Sequence, residues 1–218
     1  MADKITAKNV DTPRAVHEAG QFVAKCVDVI DLGEKVQDYD PKKPKYLAPK
    51  CALVFRTGEK NPETSEYLDV SVEYTVSMGE KSNMRPFLEG WRGKAYTPAE
   101  ADEGVPLDKL EGRWALIQIG HKTSKAGKSY AIIMTAMGVP KGMALPTFGA
   151  YERAKFWSDR KAEYLKDADA YRDEIGINRD GSQINTKGRV TAEESGGIGF
   201  PMSDDEGNGF EDHNSLPF

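Results

Sequence analysis

The chain has 218 residues, 39% of them apolar and 30% charged, with a formal net charge of -5. No run of about 18 apolar residues occurs, which excludes a membrane-spanning helix, and the opening residues Met1 to Lys8 lack the apolar stretch of a secretory signal. That length suits one fair-sized domain with appendages or two small ones, and the expected location is cytoplasmic, with Cys26 and Cys51 as buried thiols in apolar runs.

The charge is unevenly distributed. From Gly176 onward three bases (Arg179, Lys187, Arg189) stand against eight acids, so the preceding residues balance at 27 of each sign. All of the net acidity lies in the tail, and the overall charge says little about what the folded part binds.

Residues 1–19 are expected to be a flexible leader. Gln21 to Leu32, QFVAKCVDVIDL, is rich in apolar and β-branched residues and is predicted as a strand, as is KCALVFRTG, Lys50 to Gly58. Between them runs a link with three prolines and several lysines. YLDVSVEYTVSM alternates, placing Leu68, Val70, Val72, Tyr74 and Val76 on one face and Asp69, Ser71, Glu73 and Thr75 on the other, with solvent expected on the acidic side. The period then changes: GEKSNMRPFLEGW predicts a short helix with Met84, Phe87 and Leu88 on one side and Pro86 near its start. RWALIQIGHKT and KSYAIIMTAMGVP are two further strands, joined by the hairpin link Ser124-Lys125-Ala126-Gly127. AYERAKFWSDRKAEYLKDADAYRDEIG reads as a helix at 150–176, with Tyr151, Ala154, Trp157, Tyr164, Leu165 and Ala168 as packing positions. Beyond it, 177–218 reads as a disordered acidic tail.

Three strands, a helix and two strands are the element order of an OB-fold, a five-stranded Greek-key barrel, here at 20–149. An SH3-like barrel normally lacks the helix between strands 3 and 4. The expected class is therefore mainly β.

Several motifs carry less than they suggest. SKAGKS resembles the end of a phosphate loop, but Lys122 stands where the first glycine belongs, and a strand follows rather than a helix. His17, His121 and His213 are scattered and the cysteines lie far apart, so no metal site is expected. No nucleophile is paired with a base, so no catalytic residue, cofactor or enzymatic activity is expected.

Basic and aromatic residues make a stronger pattern. No acid occurs between Glu111 and Glu152, whereas Arg113, Lys122, Lys125 and Lys128 are basic and Trp114 and Tyr130 aromatic. In the first long link Lys42, Lys43, Lys45 and Lys50 are interleaved with Tyr39 and Tyr46. In an OB-fold these two segments flank the ligand groove, where lysines track phosphates and aromatic faces stack on unpaired bases. Arg56, Arg85, Trp91 and Arg92 are further candidates. Lysines also decorate ordinary exposed loops, and Trp114 alone reads equally as core.

The chain ends in DDEGNGFEDHNSLPF, which combines Asp204, Asp205, Glu206, Glu211 and Asp212 with the apolar residues Phe210, Leu216, Pro217 and Phe218. With the element order at 20–140, this tail resembles those of single-stranded DNA-binding proteins of the bacterial and bacteriophage kind, and the size and single barrel look more like a phage-encoded version. The resemblance implies binding of single-stranded DNA without strong sequence preference during replication, recombination or repair. It implies tail carboxylates that compete with phosphates for the groove, and a tail tip that recruits replication or recombination proteins. It also implies a homo-oligomer as one arrangement and, for a phage protein, the host cytoplasm. The alternative is a protein-interaction or scaffold module built on a small β-barrel, for which the neutral charge of residues 1–175 needs no special arrangement.

Overall fold

A computed structural model describes residues 15–38 and 42–182. The expectations for most of the leader, for Tyr39 and for nearly all of the tail, including every residue from Asp204 to Phe218, fall outside these. The chain divides into two compact units, Met1–Ala168 and Asp169–Phe218.

The first unit is mainly β. Its strands are β1 (Gly20–Gln37), β2 (Tyr46–Arg56), β3 (Val70–Thr75), β4 (Trp114–Thr123) and β5 (Ser129–Met137). They form one antiparallel sheet in the order β3-β2-β1-β4-β5. The length of β1 organises this sheet: Gly20 to Lys25 pair with β4, and Lys25 to Gln37 pair with β2. The sheet is not closed. β3 and β5 come within 8 Å at their Cα atoms but share no ladder of hydrogen bonds.

Two bulges in β1, between Cys26 and Asp28 and between Asp31 and Gly33, explain how one strand serves two surfaces. Ala24 and Cys26 point into an inner core, while Ile30 and Leu32 point into an outer one. All four have even numbers, so without the extra residue they would share a face; the bulge reverses the phase. At the second bulge Gly33 takes a φ of +74°, and a Cβ there would lie 2.9 Å from Leu165 Cδ2. The left-handed backbone favours glycine, and a Cβ would also force the end of the Leu165 side chain to move.

The inner core packs α1 (Met84–Arg92) against the sheet. Met84, Phe87, Leu88 and Trp91 meet Leu53, Phe55, Ile117 and Ile133. Pro86 sits in the first turn, where a missing amide costs little, and Gly93 ends the helix in a left-handed conformation. A short exposed helix, α2 (Pro98–Glu103), carries a capping box between Thr97 and Glu100, and a 3-10 turn (Leu107–Leu110) leads into β4.

The outer core comes from α3 (Lys155–Ile175), which runs through the boundary between the units. Trp157 and Tyr164, seven residues apart and so on one face, cover Ile30, Leu32, Ala52 and Val54. This corrects the expectation of solvent at Glu73, whereas Asp69 is exposed as expected. Asp69 is an ion-pair partner of Arg56, and Glu73 pairs with Arg160 at 2.7 Å and accepts from the Tyr164 hydroxyl at 2.9 Å. A second correction concerns the link between β1 and β2. Both strands extend into it, with Gln37 opposite Tyr46 and Glu34 opposite Pro49, so Tyr46 to Pro49 are strand residues ahead of the expected start at Lys50.

In the second unit Asp169 anchors the end of α3, accepting from Arg172 and from Arg179.

Candidate functional site

Five of the candidate side chains are taken up by the fold itself. Trp91 is 7% exposed, stacks near Phe55 at 5.2 Å and donates its indole N–H to the Trp114 carbonyl at 2.8 Å. Its face is closed to a ligand. Arg85 ties α1 to its surroundings, donating to Glu89, to the Met78 carbonyl and to the Tyr96 carbonyl at 2.9 Å. Arg92 lies over the Tyr96 ring and pairs with Glu100, whose carboxyl is held down to about 2 by that guanidinium first and then by the Thr97 amide. Lys50 donates to Thr75 Oγ1 at 2.6 Å, and its pKa is lowered by burial and then by the charge of Lys35.

Arg56 is the most fully engaged. It is 6% exposed and holds Asp69 through two bonds of 2.7 Å. It also donates to the carbonyls of Gly149 and Ala150 and lies 4.1 Å over the Tyr67 ring. A buried guanidinium with four of its five N–H donors committed in this way positions a chain segment and is not offered to a phosphate. Local spacing in the sequence does not distinguish such an arginine from one that binds a ligand.

The candidates that remain exposed gather on two hairpins. Lys122 sits opposite Tyr130 in the β4–β5 ladder, and Lys125 and Lys128 occupy the connecting turn. That turn closes by Ser124 N–H to Lys128 O at 2.9 Å, with Gly127 at a φ of +76°, so it is a hairpin and not a phosphate loop. All four side chains are exposed, Tyr130 by 45%. Lys122 and Lys125 form no ion pair among the described residues. On the β1–β2 hairpin Lys42, Lys43 and Lys45 are exposed, Tyr46 is 53% exposed, and Lys45 pairs with Asp38 at 3.3 Å.

Arg113 and Trp114 occupy a middle ground at the start of β4. Arg113 is exposed and donates to the Lys109 carbonyl. Trp114 is half-buried, 5.6 Å from the Phe148 ring, with the Lys25 ammonium 5.9 Å from its own ring. Tyr39 and the tail anchors Phe210, Leu216, Pro217 and Phe218 lie outside the described residues.

Sequence reasoning read His17 by itself, but it proves to be a tether. Its Nε2 is 2.6 Å from Thr57 Oγ1, its Nδ1 is 3.0 Å from Glu59, and its carbonyl accepts from His121 at 2.7 Å. These contacts fix the entry to β1 against the end of β2. Among the described residues no group of three or more His, Cys, Asp and Glu side chains could hold a metal ion, and no helix is long and apolar enough to cross a membrane. Cys26 and Cys51 are not bonded to each other, and burial pushes their thiols up to about 12 and about 11.

Compared with protein-family models, curated proteins and solved structures, the chain matches none of them.

Proposed function

We propose that the protein binds single-stranded DNA, without strong sequence preference along most of the bound strand, through the exposed faces of its β4–β5 and β1–β2 hairpins. The observation that carries this reading is the β4–β5 hairpin: Lys122, Lys125, Lys128 and Tyr130 are all exposed on one short ribbon in a stretch without a carboxylate. Lysines there neutralise phosphates, and the tyrosine offers a flat face to an unpaired base, a stack worth about 1 to 3 kcal/mol.

The sheet order supports an OB-type barrel as the architecture behind this function. β1 is shared between β2 and β4, and pairing of β3 with β5 would close the ring. An OB barrel usually takes its ligand across strands 2 and 3, and α3 covers that outer face here. This favours the hairpins over that face as the proposed nucleic-acid surface. The resemblance to phage-type single-stranded DNA-binding proteins adds a role in replication, recombination or repair. It also adds an acidic tail that competes for the lysines and recruits partner proteins through Leu216, Pro217 and Phe218.

Anisotropy titration of labelled single-stranded DNA, with duplex as competitor, tests this on the full chain and on a chain stopped at Met202. With about four phosphates neutralised, tripling the salt weakens binding about twentyfold. Removing the tail tightens binding. Absence of binding to both chains at low salt contradicts the reading.

One observation favours a protein-interaction module instead. Met134, Met137, Met143 and Leu145 are 59%, 44%, 42% and 50% exposed along the edge strand β5 and the segment after it. Self-association that Met134→Lys abolishes, seen by sedimentation in a protein with no affinity for DNA, would establish that reading.

A further inference from the structure

A cleft of about 560 Å³ opens beside the start of β4, within the roughly 300–1,000 Å³ range of small-ligand sites. Its floor is the first bulge of β1, which brings Asp28 to its lining. Glu111 and Gly112 form one side. The segment 148–151, carrying Phe148 and Tyr151, completes the lining.

This is a braced site and not a gap under a loose loop. Gly149 N–H donates to the Tyr67 hydroxyl at 3.0 Å, and Arg56 holds the carbonyls of Gly149 and Ala150. Arg153 grips Asp28 through bonds of 2.6 and 2.7 Å. Across the cleft, Gly112 N–H donates to the Cys26 carbonyl at 2.7 Å and so pins the Glu111 side to the floor.

The charges of the cleft define what it can take. Asp28 and Arg153 neutralise each other. That leaves Lys25, whose ammonium lies 5.9 Å from the Trp114 ring, and Glu111, an exposed carboxylate with no ion pair among the described residues. An aromatic ring in the lining, one carboxylate without an ion pair and one cation suit a planar heterocycle that donates hydrogen bonds along one edge and carries an anionic group.

We propose that this cleft takes one unpaired nucleobase bearing an exocyclic amine, guanine above all, with its ring against Phe148, its donor edge at Glu111 and its phosphate at Lys25. The proposal rests on the reading of the chain as a nucleic-acid binder and adds selectivity at one nucleotide to sequence-tolerant contacts elsewhere. Guanine sets N1–H and the N2 amine side by side, matching the two oxygens of a carboxylate. Cytosine and adenine offer one amine. Thymine flanks its single N3–H with two carbonyl oxygens that repel a carboxylate. One such contact, at an exposed glutamate, gives a preference of about tenfold.

Saturation-transfer NMR with dGMP and dTMP, on the full chain and on Glu111→Gln, tests this beside anisotropy with labelled oligonucleotides. Thermal melting of the variant confirms its fold, which an exposed side chain does not endanger. The expected result is dGMP binding about tenfold tighter than dTMP, with Glu111→Gln removing the difference. Equal binding of the two nucleotides, or a preference unchanged in Glu111→Gln, overturns the proposal. Oligonucleotide binding without nucleotide discrimination overturns the cleft alone and leaves the hairpin reading standing. Discrimination that depends on Glu111, without oligonucleotide binding, sustains the cleft and removes the hairpin reading. Binding of neither removes both.

Discussion

The two halves of the sheet differ in what lies on their outer side. Around β1 and β2 both faces are covered: Cys51, Leu53 and Phe55 face α1, while Ala52 and Val54 face α3. On the β4–β5 half, Ile117, Ile119 and Ile133 face the core, whereas Lys122, Tyr130, Met134 and Met137 face outward and are exposed. A strand buried on both sides supplies stability and has no surface to offer a ligand. The half with one open side carries the exposed cations and aromatic ring. Stability thus falls to the doubly covered strands, whereas the proposed binding falls to the open β4–β5 half and the exposed end of the β1–β2 hairpin, and substitutions should separate them.

The largest effect is expected where α3 closes the covered half. Trp157→Ala opens a cavity over Ile30 and Val54 and costs about 3 to 5 kcal/mol in chemical denaturation. A loss of only a few tenths would mean that α3 is not part of the folded core. Asp69→Asn comes next. It leaves the Arg56 guanidinium buried without its carboxylate, at a cost of about 3 kcal/mol, and loosens the segment 148–151 that Arg56 holds. On the open half the pattern inverts: Lys122→Glu with Lys125→Glu changes stability by no more than about 0.5 kcal/mol, because both side chains are exposed.

Two smaller effects sharpen the comparison. Cys26 and Cys51 should resist alkylation in the native protein at pH 8, since burial holds their thiols protonated up to about 12 and about 11, and should react on unfolding. Rapid native labelling would place them outside the core. The Glu100 carboxyl is held down to about 2 against an ordinary 4.5, mainly by Arg92. Its contribution to α2 is complete above the ordinary value and is lost as pH falls towards about 2, which carboxyl chemical shifts would follow. A midpoint near 4.5 would mean that the Arg92 contact does not form in solution.

Much of this organisation was legible in the sequence. The apolar spacing of Met84, Phe87 and Leu88 predicts α1 and the face it buries, and Gly127 marks the β4–β5 turn. What hides is the identity of each side chain's partner. Asp69 and Glu73 alternate with apolar residues as solvent-facing acids do, yet their cations come from Arg56 and from Arg160 on α3. The continuous apolar run from Cys51 to Phe55 already signals a strand covered on both faces, and reading it so would have predicted a cover such as α3. Trp91 and Arg92 adjoin in the sequence like a stacking platform, but the helical turn sends Trp91 into the core and Arg92 to Glu100. The β1–β2 link, with its prolines, reads as a loop because Pro49 does not signal a strand, yet the ladder runs through it with Pro49 opposite Glu34.

The central claim is that the open β4–β5 hairpin carries nucleic-acid binding. The most direct test is a titration of labelled single-stranded DNA with the full chain and with the variant carrying Lys122→Glu and Lys125→Glu, each at two salt concentrations. The account predicts that the variant melts like the parent, binds at least tenfold more weakly at low salt and shows a shallower salt slope. Equal affinity and equal slope in the two proteins would contradict it.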